Sequence, residues 1–151
     1  MTRLIAASAI AATLALPCSA GAQRGRMAAP EFIQATPNAP YSQAVRVGRI
    51  IYLSGTIGMT AEGKLAAGGI QPEAKQALEN IRAALQPLGA TMDDVVKCTV
   101  FLVDIAEWPA MNEVYVTFFP KNKPARSAIA VAGLPANARV EIECLAVRGG
   151  N

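Results

Sequence analysis

Apolar residues recur along this chain at two spacings, and the spacing changes mark out its elements. From Pro72 onward, Ala74, Ala77, Leu78, Ile81, Ala84, Leu85 and Leu88 fall on one helical face, which predicts a long amphipathic helix over residues 72–87, opened by Pro72 and closed by Gly89. Strand-like alternation precedes it in AVRVGRIIYLSGTIG, read as a hairpin whose second strand ends at Ser54 and Gly55. The β-branched segment DDVVKCTVFLVD predicts another strand, with Val96, Cys98, Val100 and Leu102 toward the core and Lys97 and Thr99 away from it. A second helix is expected over residues 108–119, with Trp108, Met111, Tyr115 and Phe118 as a packing stripe. Two strands, SAIAVAG and ARVEIECLAVR, close the chain around the turn-rich LPAN.

This order describes an α+β sandwich with helices on one face of a mixed sheet, its other face wet or covered by another subunit. At 151 residues one domain suffices. The first residues stand apart from it. Arg3, the apolar run LIAASAIAATLALP and the small residues before Gln23 read as a secretory signal peptide over residues 1–22, the run being too short and alanine-rich for a membrane span. Residues 23–39, with two prolines, a third following at Pro40, and no clear period, read as an extension with a short strand near Phe32, and order is expected to begin close to Tyr41, in a domain over 40–149. Export to the periplasm or medium, with no membrane attachment after cleavage, is the expectation.

Charge and composition exclude several chemistries. Fourteen Lys and Arg against eleven Asp and Glu, without a basic cluster, offer no footprint for nucleic acid. The chain has no histidine, which removes Ser-His-Asp triads, Cys-His dyads and the usual His-based metal sites, so proton transfer falls to a carboxylate, Lys, Tyr, Cys, a terminus or water. Cys98 and Cys144 lie on inferred core faces and read by default as two buried free thiols, although an oxidising compartment would permit one bond between adjacent strands.

Three charged residues interrupt the last two strands. Alternation puts Val140, Ile142, Cys144 and Ala146 on the core side and Glu141, Glu143, Leu145 and Val147 on the other. With Ile129 and Val131 taken as core, Arg126, Ala128 and Ala130 are expected on Glu141's side, so that arginine and carboxylate could share one shallow cleft. Alternation alone is equally met by a surface ion pair, worth little in water.

PYSQAV, YLSGTIG, MNEVYVTFFP, PARSAIAV and VEIECLAV together resemble the Rid (YjgF-type) enamine/imine deaminase family over roughly residues 31–148. The resemblance implies a chorismate-mutase-like sandwich, a mixed six-stranded sheet with two helices on one face, assembled as a homotrimer with clefts between subunits. It implies hydrolysis of 2-enamines and 2-imines to 2-oxoacids and ammonia without metal or organic cofactor. Arg126 would bind the substrate carboxylate and Glu141 would activate water, with Tyr41, Ser54, Gly55 and Asn112 lining the pocket. Glu143 is left as an interface or salt-bridge residue. Many members carry cysteine two residues after the arginine, where this chain has Ala128, so no thiol contributes. The competing expectation is a trimeric small-molecule-binding or chaperone-like module that has lost turnover. Nuclease activity, sometimes attributed to the family, lacks a basic groove to support it.

Overall fold

A computed structural model describes residues 28–149 of the chain. The signal-peptide and cleavage expectations lie outside the described residues. Seven strands and two helices follow in the order β1 (Glu31–Gln34), β2 (Ser42–Val47), β3 (Ile50–Leu53), β4 (Thr56–Ile57), α1 (Ile70–Leu85), β5 (Val95–Leu102), α2 (Trp108–Tyr115), β6 (Ala125–Ala130) and β7 (Val140–Val147). The sheet runs β1-β2-β3-β7-β5-β6, with β4 also on β7. Among the described residues only β5 and β6 pair in parallel, joined by α2 as the crossover a parallel pair needs. The sheet begins inside the segment read as an extension, because β1 pairs with β2 at the edge.

α1 lays Ile70, Ala74, Ala77, Leu78, Ile81 and Leu85 on the sheet, and α2 adds Met111 and Tyr115 to the same core as Ile51, Val100, Leu102, Val140 and Ile142. Both helices end in short 3-10 turns, Gln86–Leu88 and Val116–Phe118, so the expected helical spans hold with tightened last turns. Among the described residues the opposite sheet face has no helix, and Tyr52 and Ile129 are exposed on it. Among the described residues no helix is long and apolar enough to cross a membrane.

Three side-chain expectations are corrected. A bulge in β5, where Val95 opposes Ala146 and Lys97 opposes Leu145, buries Val95 and turns Val96 outward at 44 % exposure. Cys98 and Cys144 are directly opposed on β5 and β7 and form a disulfide, not two free thiols. The third concerns β6. Its parallel register sets Arg126 beside Cys98, Ala128 beside Val100 and Ile129 beside Phe101. Paired residues share a face, so Arg126 and Ala128 lie toward the helices and Ile129 away from them. Alternating alanine and isoleucine on an edge strand did not say which face was which; the small Ala128 is the residue that packs against the core.

Candidate functional site

Arg126 therefore stands on the helix face, held by three residues of α2. Its Nη1 donates to Asn112 Oδ1 at 2.8 Å. Its guanidinium carbon lies 4.5 Å from the Tyr115 ring centroid and 5.5 Å from that of Trp108. Positions 108, 112 and 115 repeat at i, i+4 and i+7, one stripe of the helix. The expected packing stripe thus divides: Met111 and Phe118 are core, Tyr115 is both core and a wall for the cation, and Trp108, 37 % exposed, completes the aromatic bracket from outside the core. Burial pushes the Tyr115 hydroxyl up to about 12, against the opposing pull of Arg126, so it stays protonated and serves as a wall, not a base. With one Nη1 bond made inside the protein, the guanidinium keeps further coplanar donors for an incoming carboxylate.

Glu141 occupies the other face. It pairs across with Ile57 of β4 and Phe101 of β5. β3 and β4 both lie along β7, interrupted at Ser54 and Gly55, and the break opens a cleft of about 370 Å³ lined by Tyr41, Ser54, Gly55, Ile57, Pro135 and Glu141. Gly55 leaves room for the Glu141 carboxyl to lie against the backbone, since a Cβ on it would fall 1.8 Å from Glu141 Oε1 and displace it. Ser54 is fixed by its hydroxyl donating to Ser42 O at 2.7 Å and its N–H donating to Gln43 O at 3.0 Å. Burial raises the Glu141 carboxyl above its ordinary range, with a further push from the like charge of Glu143. Glu143 itself lines a separate depression of about 130 Å³ with Tyr52, Lys97, Thr99 and Leu145.

The six site candidates consequently fall into two groups. Arg126 and Asn112 are together on the helix face, and Tyr41, Ser54, Gly55 and Glu141 are together at the cleft on the other. The expected sharing of one face by Arg126 and Glu141 does not occur: Arg126 is level with Cys144, three residues along β7 from Glu141, with β5 intervening. Strand spacings put their Cα atoms about 14 Å apart, with side chains pointing to opposite sides of the sheet. Sequence reasoning missed Trp108 and Tyr115 as ligands of the arginine, although their spacing from Asn112 was visible, and missed Pro135 in the cleft wall. Among the described residues no group of three or more His, Cys, Asp or Glu side chains could hold a metal ion.

Comparison with known proteins gives one consistent neighbourhood. The Endoribonuclease L-PSP family model matches residues 32–148. The chain is 50 % identical to human 2-iminobutanoate/2-iminopropanoate deaminase over 111 residues, covering 73 % of this chain and 81 % of the relative. The house dust mite Dermatophagoides farinae protein of the same name is 48 % identical over 112 residues, covering 74 % and 88 %. Among solved structures, a Thermotoga maritima protein described as a putative endoribonuclease superposes with a TM-score of 0.75 at 40 % identity, covering 80 % of this chain and 98 % of that one. RidA from an Antarctic Psychrobacter gives 0.70 at 39 %, covering 74 % and 91 %. Escherichia coli TdcF, solved with bound serine, gives 0.70 at 36 %, covering 74 % and 90 %.

Proposed function

The chain belongs to the Rid (YjgF-type) family, and from that premise we propose that it hydrolyses reactive 2-imino and 2-enamino acids to 2-oxoacids and ammonia, in clefts completed between two copies of itself. The observation that carries the reading is the division of the site. One half offers a bracketed guanidinium with free donors, the other a carboxyl of raised pKa in a half-buried cleft, and neither half alone can hold and hydrate an imino acid.

In the assembled site Arg126 takes the substrate carboxylate in two parallel charge-assisted bonds, which fixes the direction of the adjoining imine carbon. Asn112, Trp108 and Tyr115 keep the guanidinium from turning away. Glu141 of the neighbouring copy accepts a proton from water as the water oxygen bonds to the carbon of the protonated imine, and the resulting carbinolamine carries hydroxyl and a neutral amine on one carbon. Glu141 then delivers the proton to nitrogen. The C–N bond breaks, ammonia leaves, and the hydroxyl proton passes to the regenerated Glu141 carboxylate, or to the departing ammonia, to complete the carbonyl of the 2-oxoacid. The raised pKa suits a group that must both take and return a proton. Tyr41, Ser54 and Gly55 shape the cleft around it.

A closed trimer is the assembly we propose, the helix-free face with Tyr52, Ile129, Leu145 and Val147 being its covered surface. Imine hydrolysis is favoured over RNA cleavage because, among the described residues, no basic side chain lines the Glu141 half of the site. Export remains part of the reading, resting on the signal-like first residues.

Ammonia release from freshly generated 2-iminopropanoate tests it. Wild type should accelerate release, whereas Arg126→Ala and Glu141→Ala should lose it while staying folded; activity unchanged in both sinks the proposal. Trp108, the only tryptophan of the chain, lies beside the guanidinium, so its fluorescence should respond to a 2-oxoacid. A fluorescence response without ammonia release would favour the silent binding module. Incubation of wild type and the Arg126 variant with RNA separates the nuclease reading, for which equal, background-level cleavage is expected.

A further inference from the structure

Glu73, on α1, is 6 % exposed and is the one buried charged side chain among the described residues. Its Oε2 accepts the backbone N–H of Arg139 at 2.9 Å. Arg139 comes just before β7 and two residues before Glu141, and it follows the turn Pro135–Asn137, in which Ala136 and Asn137 hold left-handed φ values of 55° and 58°. Pro135 of that turn lines the Glu141 cleft. The backbone of Glu73 also packs on Gly58, where a Cβ would fall 2.5 Å from its carbonyl oxygen. Seven residues on, along the same helical face, Asn80 Nδ2 donates to Ile57 O at 3.2 Å and to Met59 O at 2.9 Å, straddling Gly58. Ile57 is the β4 residue paired with Glu141.

Both walls of the cleft are thus tied to one helix by polar side chains. We propose that Glu73, assisted by Asn80, is a positioning residue for Glu141: it holds the Pro135 turn and β4 at the separation that fixes where the Glu141 carboxyl lies. A carboxyl buried in the core has strong reason to keep its N–H partner, because an unpaired one is costly, so the bond over-determines a turn whose two non-glycine residues sit in a disfavoured region. Remove the acceptor and the turn relaxes, Pro135 withdraws and the Glu141 carboxyl becomes more fully solvated. Glu73 touches no substrate. Its loss should act on kcat and spare the carboxylate grip, which belongs to the Arg126 half. The kinetic consequence rests on the role proposed above for Glu141; the positional one does not.

The experiment uses the full processed protein and reads kinetics together with a ¹³C-detected titration of the Glu141 carboxyl. The other groups around that carboxyl are Glu143 on its own strand and Tyr41 across the cleft, while β4 offers Thr56 and Ile57 and β5 offers Phe101. In Glu73→Ala, kcat should fall about ten- to a hundredfold, with KM within about threefold, and Glu141 should titrate closer to an ordinary glutamate. Glu73→Gln, whose Oε1 can accept the same N–H, should restore both. A Glu73→Ala protein that loses thermal stability but keeps wild-type kcat and Glu141 titration overturns the proposal, as does failure of Glu73→Gln to restore them. Should Glu73→Ala not fold, Asn80→Ser is judged by the same two readouts. A wild type that releases no ammonia would defeat the enzymatic reading while the titration still decides this one.

Discussion

Two inactive variants should regain activity when their chains are mixed. Arg126→Ala leaves the Glu141 half intact, and Glu141→Ala leaves the Arg126 half intact. Because the two side chains leave opposite faces of one sheet, with Cα atoms about 14 Å apart by strand spacing, no rotamer change within a chain can join them, and the proposed site therefore calls for two chains. In a trimer assembled at random from equal amounts, a given site draws its arginine half from a Glu141→Ala chain about half the time and its glutamate half from an Arg126→Ala chain about half the time, so about a quarter of sites are whole. The assay is co-refolding of the two purified variants, followed by ammonia release from 2-iminopropanoate at fixed chain concentration. Activity near a quarter of wild type is expected, with neither variant active when refolded alone. Activity that stays at background in mixtures shown by native mass spectrometry to contain both chains would refute the shared site.

Gly55→Ala should lower kcat/KM by about a hundredfold with little change in melting temperature, because its Cβ would meet only the mobile end of Glu141, at 1.8 Å from Oε1, and push the carboxyl aside; steady-state kinetics beside calorimetry checks this. Burial holds the folded-state pKa of Glu141 above its unfolded value, so its contribution to stability is full below about pH 4.3 and is lost as pH rises through the folded value. Glu141→Gln should accordingly be more stable than wild type in urea at neutral pH, the difference closing on acidification, and wild-type activity should decline as falling pH protonates Glu141, at a pH above the ordinary carboxylate range. Reduction of the Cys98–Cys144 bond, which closes a loop with a sequence separation of 46, should cost about 2–4 kcal/mol of unfolding free energy, read from urea melts with and without reductant.

The elements themselves were legible because their signals are local. Helical spacing around Ala74, Leu78, Ile81 and Leu85, and the alternation of Val140, Ile142, Cys144 and Ala146, need no knowledge of the rest of the chain, and all eight are buried as expected. Signals failed where pairing partners decide. Val95 and Val96 are equivalent in sequence, and only the bulge opposite Leu145 and Ala146 chooses between them. The cysteines could not be paired without knowing that β5 and β7 are neighbours in register.

The site divides along the same line. Sequence determined its inventory: an arginine able to grip a carboxylate, a glutamate in a chain without histidine, an asparagine and aromatics on one helical stripe, a glycine at a strand break. Tertiary structure decided which of these meet. The parallel register of β6 on β5 turned Arg126 toward Asn112 and away from Glu141, and the buried Glu73 joined α1 to the start of β7 across a separation of 66 residues. Side-chain type is written in each residue, but the face it occupies depends on strand register, and register is settled by contacts between segments distant in the chain.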